Sequence, residues 1–243
     1  MGNGTDPLGG RVVWCLGMYA SASTWVFNIV RGILAVDARP VSSCFISNNG
    51  THLQPQDPRQ VLLVKSHEID DAALVAEVAG RSARLIVSVR DPRDAVVSLM
   101  VAHTFPFERA LRLVEKSALL CRAFAADERT AFLKYESEFF NTPDTVAALA
   151  AHLGCALEAS AAERIFSGLT RPEVEKHIAR MPQMRGMLKS IESGDLLDPV
   201  SHWHSHHAGR TGKTMKWREV LTDSQVQEIE RRLGPPPAFQ GDL

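Results

Sequence analysis

Residues 12–34, VVWCLGMYASASTWVFNIVRGIL, decide the fold. Val12 to Leu16 is a short apolar run with two adjacent β-branched residues, and it ends at Gly17. That is the pattern of a strand buried on both faces and stopped by a loop. From Thr24 onward, Trp25, Val26, Ile29, Val30, Ile33 and Leu34 recur at three- and four-residue spacing, which predicts a helix. A strand, a loop of small residues and a helix in succession make half of a βαβ unit.

The same alternation continues outward. Val61–Val64 and Arg84–Val89 read as strands. Pro92 stands where a following helix begins, a position at which its missing N–H does least harm, and Pro106 separates that helix from a longer one, about Phe107 to Ala126. Ala131 to Tyr135 makes a fourth strand, and Thr142-Pro143-Asp144 opens a helix through Leu153 that Gly154 terminates. This predicts an α/β fold, a parallel sheet flanked by helices on both faces in three layers, with ligands at the carboxyl ends of the strands. Val41 to Gln60, rich in Ser, Asn, Gln and Pro, reads as a surface excursion. Arg171 to Gly212 has no clear strand pattern, and residues 171–217 are expected to form an irregular or helical cap over the site. Helix returns at about Thr222 to Leu233. The 243 residues are read as one domain, with residues 11–155 as its core.

Charge excludes some partners. Lys plus Arg number 27 against 28 Asp plus Glu, so the chain has no global positive field to hold nucleic acid or an anionic membrane. Any anion site must be local. The four cysteines, Cys15, Cys44, Cys121 and Cys155, lie far apart, which fits a reducing compartment. No signal-type or spanning apolar segment is present, and Asp6 stands where a myristoylation signal needs Ser or Thr, so a cytoplasmic protein is expected. A homodimer is compatible with all of this.

Four stretches carry chemistry. The loop Gly17 to Trp25 places backbone N–H groups and a helix dipole together, an arrangement suited to phosphate, although an ordinary strand-to-helix connection would look similar. It lacks the Gly-Lys-Ser/Thr ending of a Walker loop, and Thr211-Gly212-Lys213-Thr214 has His207 where that motif needs glycine, which counts against a P-loop kinase. In Arg90-Asp91-Pro92-Arg93-Asp94-Ala95-Val96-Val97-Ser98, Arg90 leaves a strand as a forked donor while Ser98 sits about two turns into the next helix, so both can reach one phosphate. The alternative makes Arg90 and Asp94 a structural ion pair. Lys65-Ser66-His67 ends the second strand; an imidazole there suits a general base near neutral pH, and an ammonium two residues earlier can meet developing negative charge. His202, His204, His206 and His207 suggest a metal, but with no acidic or cysteine partner at a familiar spacing no metal is expected.

These stretches together resemble the sulfotransferases that use 3′-phosphoadenosine-5′-phosphosulfate (PAPS). The loop is similar to that family's Pro-Lys/Arg-Ser-Gly-Thr-Thr-Trp. The resemblance implies that Ser21, Ser23 and Thr24, with the backbone at Ala22, hold the 5′-phosphosulfate and that Trp25 stacks on the adenine. Ala20 stands in place of the family's basic residue and Ala22 in place of its glycine. By the same resemblance Arg90 and Ser98 bind the 3′-phosphate, His67 and Lys65 are catalytic, and Tyr135, in Leu133-Lys134-Tyr135-Glu136, contacts the adenine side, although a half-buried strand tyrosine explains it equally well. Arg210-Thr211-Gly212, seven to five residues before Trp217, implies that Arg210 and the Gly212 N–H close over the 3′-phosphate. The implied reaction is sulfuryl transfer from PAPS, as co-substrate, to a hydroxyl or amine of a small acceptor without a metal. The loss of a basic residue at Ala20 keeps a second reading open, a nucleotide-binding protein with impaired catalysis.

Overall fold

The computed structural model describes residues 8, 11–37, 40–47, 53, 60–190, 194–207 and 214–234. Five parallel strands form the central sheet: β1 (Val12–Gly17), β2 (Val41–Phe45), β3 (Val61–Ser66), β4 (Ser82–Val89) and β5 (Thr130–Lys134), in the order β2-β3-β1-β4-β5. Alternate residues of β1 enter different cores. Val13 and Cys15 pack with α1 (Ser23–Val36) and α5 (Asp144–Leu153). Val12, Trp14 and Leu16 pack with α3 (Pro92–His103), α4 (Phe107–Phe124) and α9 (Asp223–Leu233). Both faces of the sheet are therefore covered, which is why its inner strands read as unbroken apolar runs. No described helix is long and apolar enough to cross a membrane.

Two local expectations need correction. Val41–Phe45 is not excursion but an edge strand, paired in parallel register with Val61–Lys65. An edge strand pairs on one side only, so Ser42 and Ser43 are tolerated, and all five residues are half-buried. Within the cap, α7 (Arg171–Arg180) is followed by a short antiparallel pair, β6 (Leu188–Lys189) with β7 (Leu196–Leu197), and then by α8 (Trp217–Val220). Two-residue strands are too short to leave a periodic signal. Helices α2 (Ala72–Arg81) and α6 (Ala159–Ser167) add two elements beyond those expected; Asp71 caps α2 by accepting from the Ala73 and Leu74 amides. Gly154 ends α5 in the left-handed conformation, as its position suggested (φ 69°).

β1 is the switch point. The chain fills one side of it with β3 and β2 and the other with β4 and β5, and a crevice opens beyond the carboxyl ends of strands at such a point. Gly17, Ser66, Val89 and Lys134 are the last residues of β1, β3, β4 and β5, so the loop after β1, His67, Arg90 and Tyr135 all gather at that edge.

Candidate active site

The loop after β1 folds tightly against β4. A side chain on Gly17 would lie 2.3 Å from Ser23 Cβ and 2.7 Å from Ser88 Oγ, so only glycine fits. The Met18 amide donates to the Ser88 carbonyl at 2.9 Å. The Ser21 hydroxyl lies 2.7 Å from the Met18 carbonyl and 2.9 Å from Ser88 Oγ, fully buried, so it braces the loop. Ala20 and Ala22 both have positive φ, 60° and 62°. Ala22 thus keeps the left-handed backbone that glycine adopts without strain, at a cost of about 1–2 kcal/mol. Ala22→Gly should raise the unfolding free energy by roughly 0.5–1 kcal/mol, the relieved strain less the entropy of a freer unfolded chain, checked by urea denaturation.

At the N-cap of α1, Ala22 supplies no side-chain hydrogen bond, so the first-turn amides of Ser23, Thr24 and Trp25 have no such cap. A helix start of this kind is suited to an anion. Trp25 is buried, its indole N–H donating to the Leu169 carbonyl at 3.0 Å and its ring 5.9 Å from that of Phe139.

Arg90 joins this loop to α3. Its Nη1 donates to the Ala20 carbonyl at 3.2 Å and to Ser98 Oγ at 3.3 Å, and the guanidinium lies 4.1 Å from the centre of the Tyr135 ring. Tyr135 lies in the turn just after β5 rather than in the strand, and its ring is a face on which Arg90 is laid. Asp94, buried, stands 3.8 Å from Arg90 Nη2 and accepts from the Met215 and Trp217 amides at 2.6 and 3.2 Å. The ion-pair alternative and the convergence of Arg90 on Ser98 are thus both realised, and Asp94 also ties the C-terminal segment to the strand end. Arg210 and Gly212 lie outside the described residues.

On the opposite side of β1, His67 Nδ1 is 2.7 Å from the Gly17 carbonyl. A carbonyl only accepts, so Nδ1 carries the proton and Nε2 keeps its lone pair. The ring stacks on Tyr19 at 4.4 Å. Burial, then the nearby Lys65 charge, push its pKa down to about 3. His67 is neutral at physiological pH with its basic nitrogen set by geometry. Lys65 is buried, 5.3 Å from the centre of the Phe45 ring, and burial lowers its ammonium to about 8.

The edge strand and the cap bring further groups beside His67, in the two segments expected to shape an acceptor pocket. The ring of Phe45, on the edge strand, lies 6.0 Å from both His67 and His202. His202 is buried in a left-handed conformation (φ 56°), its pKa pushed down to about 4 chiefly by burial, and its Nε2 has no hydrogen-bond partner among the described residues. The histidines do have a carboxylate beside them in space. Asp195, nine residues before His204, does accompany them, its carboxylate beside His204 and His206. The turn after β7 brings it back, which linear spacing did not reveal.

No protein-family model and no curated protein matches the chain. Solved structures do. Mouse sulfotransferase SULT7A1, complexed with PAP, superposes with a TM-score of 0.62 at 13% identity over 94% of this chain and 87% of that one. The chain has the sulfotransferase fold. Retinol dehydratase is similar in two complexes: with androsterone and the inactive cofactor PAP (TM-score 0.60, 16% identity) and with retinol and PAP (0.56, 15%). Both comparisons cover 94% of this chain and 81% of theirs.

Proposed function

We propose that the chain transfers a sulfuryl group from PAPS to a hydroxyl or amine of a small acceptor. One observation carries the reading: a single loop is gripped from two sides, by Arg90 at the Ala20 carbonyl and by His67 at the Gly17 carbonyl. A phosphate-binding device and a base with a fixed lone pair therefore face the same few residues. In this reading Arg90 and Ser98 take the 3′-phosphate, with Arg210 and Gly212 closing over it. The first-turn amides of α1 with Ser23 and Thr24 take the 5′-phosphosulfate, and Trp25 and Tyr135 flank the base. Ser21 serves by bracing the loop.

The acceptor oxygen forms its bond to sulfur as the bond from sulfur to the 5′-phosphate oxygen breaks. The acceptor proton goes to His67 Nε2, and the leaving electron pair stays on the phosphate of 3′,5′-ADP. Lys65 sets a buried positive charge beside that step, a contribution the family's basic residue would make at Ala20. Phe45, Tyr19 and His202 favour an acceptor with an apolar body and one polar atom, the latter meeting His202 Nε2.

A pH dependence follows from the two shifts. Because His67 stays neutral down to about pH 3, kcat/KM should be flat between roughly pH 6 and 7.5; because the buried Lys65 loses its proton near 8, it should fall above that pH. A profile of kcat/KM in overlapping buffers checks this, and an acid limb centred near 6.5 would contradict it.

The direct test is calorimetric titration with 3′,5′-ADP, with ADP as comparison. Tight binding that needs the 3′-phosphate, followed by transfer from PAPS in an acceptor screen, supports the reading. Equal or absent binding of both nucleotides overturns it, and binding without transfer to any acceptor favours an impaired nucleotide binder.

A further inference from the structure

Asp195, at the turn before β7, and His204 and His206, in the turn that follows that strand, have ligating atoms within 4.8 Å of one another. Asp195 Oδ2 lies 2.6 Å from His204 Nδ1 and 3.0 Å from His206 Nδ1. The other carboxylate oxygen, Oδ1, is held by the Ser205 hydroxyl at 2.5 Å and by the His206 amide at 3.3 Å. Ser205 is fixed in turn by accepting from the Leu196 amide at 3.0 Å. The carboxylate is therefore oriented with one oxygen, Oδ2, beside both imidazoles. Outer hydrogen bonds of this type are what orient metal ligands.

We propose that Asp195, His204 and His206 bind a divalent ion of the zinc class, coordinated through one carboxylate oxygen and two Nδ1 atoms. The donor set of two imidazoles and a carboxylate suits zinc and its borderline neighbours better than magnesium or calcium, which prefer all-oxygen shells. Metal–ligand bonds of about 2.0–2.1 Å in tetrahedral geometry place neighbouring ligand atoms about 3.3 Å apart. The separation from Asp195 Oδ2 would open by about 0.7 Å to His204 and by about 0.3 Å to His206. Each imidazole would move its proton from Nδ1 to Nε2, so the ion replaces two N–H donors without net loss of protons. All three side chains are partly exposed, between 17% and 33%, which gives an ion a path of entry. Three protein ligands leave a fourth position to water or to another imidazole, and the ring of His103 lies 4.5 Å from that of His206. The ion would pin the hairpin of the cap to the turn behind it. The proposal is independent of the sulfotransferase reading.

The test is calorimetric titration of untagged, chelator-treated full-length protein with Zn²⁺, together with absorption spectra on adding Co²⁺. One ion per chain is expected, with a cobalt spectrum of nitrogen and oxygen ligation. His204→Ala and His206→Ala should each weaken binding by about 100-fold or more, and Ser205→Ala by about 10-fold. Absence of stoichiometric binding, or unchanged affinity in the two histidine variants, would mean that the imidazoles only donate hydrogen bonds to Asp195. If the variants do not fold, the wild-type cobalt spectrum decides: thiolate charge-transfer bands would assign the ion to cysteine and overturn the site.

Discussion

Replacing His67 with glutamine should lower sulfuryl transfer by roughly 10²–10⁴-fold, the usual contribution of a positioned general base, while 3′,5′-ADP binds within a few-fold of the wild type. Glutamine can still donate to the Gly17 carbonyl, 2.7 Å from Nδ1 in the native protein, so the loop that the bond supports keeps its shape. What it lacks is a basic nitrogen. Loss of turnover with binding intact therefore separates proton removal from loop support, and His67→Ala, which removes both, should cost more in nucleotide affinity. The residual activity of His67→Gln should respond to acceptor acidity, because only an acceptor that ionises by itself still supplies a nucleophile. A loss of less than about threefold would move the base elsewhere, with the orphaned Nε2 of His202 as the next group to test.

The sheet was legible because its inner strands are buried on both faces. Val12–Gly17 is apolar throughout, and residues 61–64 of β3 and 85–87 of β4 are apolar stretches buried on both faces, so these runs marked the strands directly. Val41–Phe45 escaped because a strand at the edge does not need that composition. The site was legible where one local string holds both halves of a device, as in Arg90 with Ser98, eight residues apart on a strand end and the next helix. Contacts between strings were not. The bond from His67 to Gly17 spans 50 residues, and the ties from Asp94 to Met215 and Trp217 span more than 120. Such pairs depend on strand order, which periodicity alone does not fix. Asp195 is the sharpest case: nothing in its spacing from His204 marks it, and only the turn after β7 brings carboxylate and imidazoles together.

Arg90→Ala should weaken 3′,5′-ADP binding by about 100-fold or more and leave ADP binding nearly unchanged, because truncating one member of a buried, hydrogen-bonded charge pair costs about 2–5 kcal/mol. The same change should destabilise the free protein by about 2–3 kcal/mol. Asp94 would lose the guanidinium 3.8 Å away and keep the Met215 and Trp217 amides as partners, so the buried carboxylate is undercompensated rather than abandoned. Arg90→Lys distinguishes charge from shape. An ammonium restores a cation near Asp94, and stability should recover most of the loss. It cannot lie flat on Tyr135 while reaching both Ala20 and Ser98, so nucleotide affinity should stay roughly tenfold below wild type. Full recovery of affinity by lysine would mean that the 3′-phosphate sees only a point charge. If alanine costs stability but leaves the preference for 3′,5′-ADP over ADP intact, Arg90 is a structural cation and the 3′-phosphate is held elsewhere.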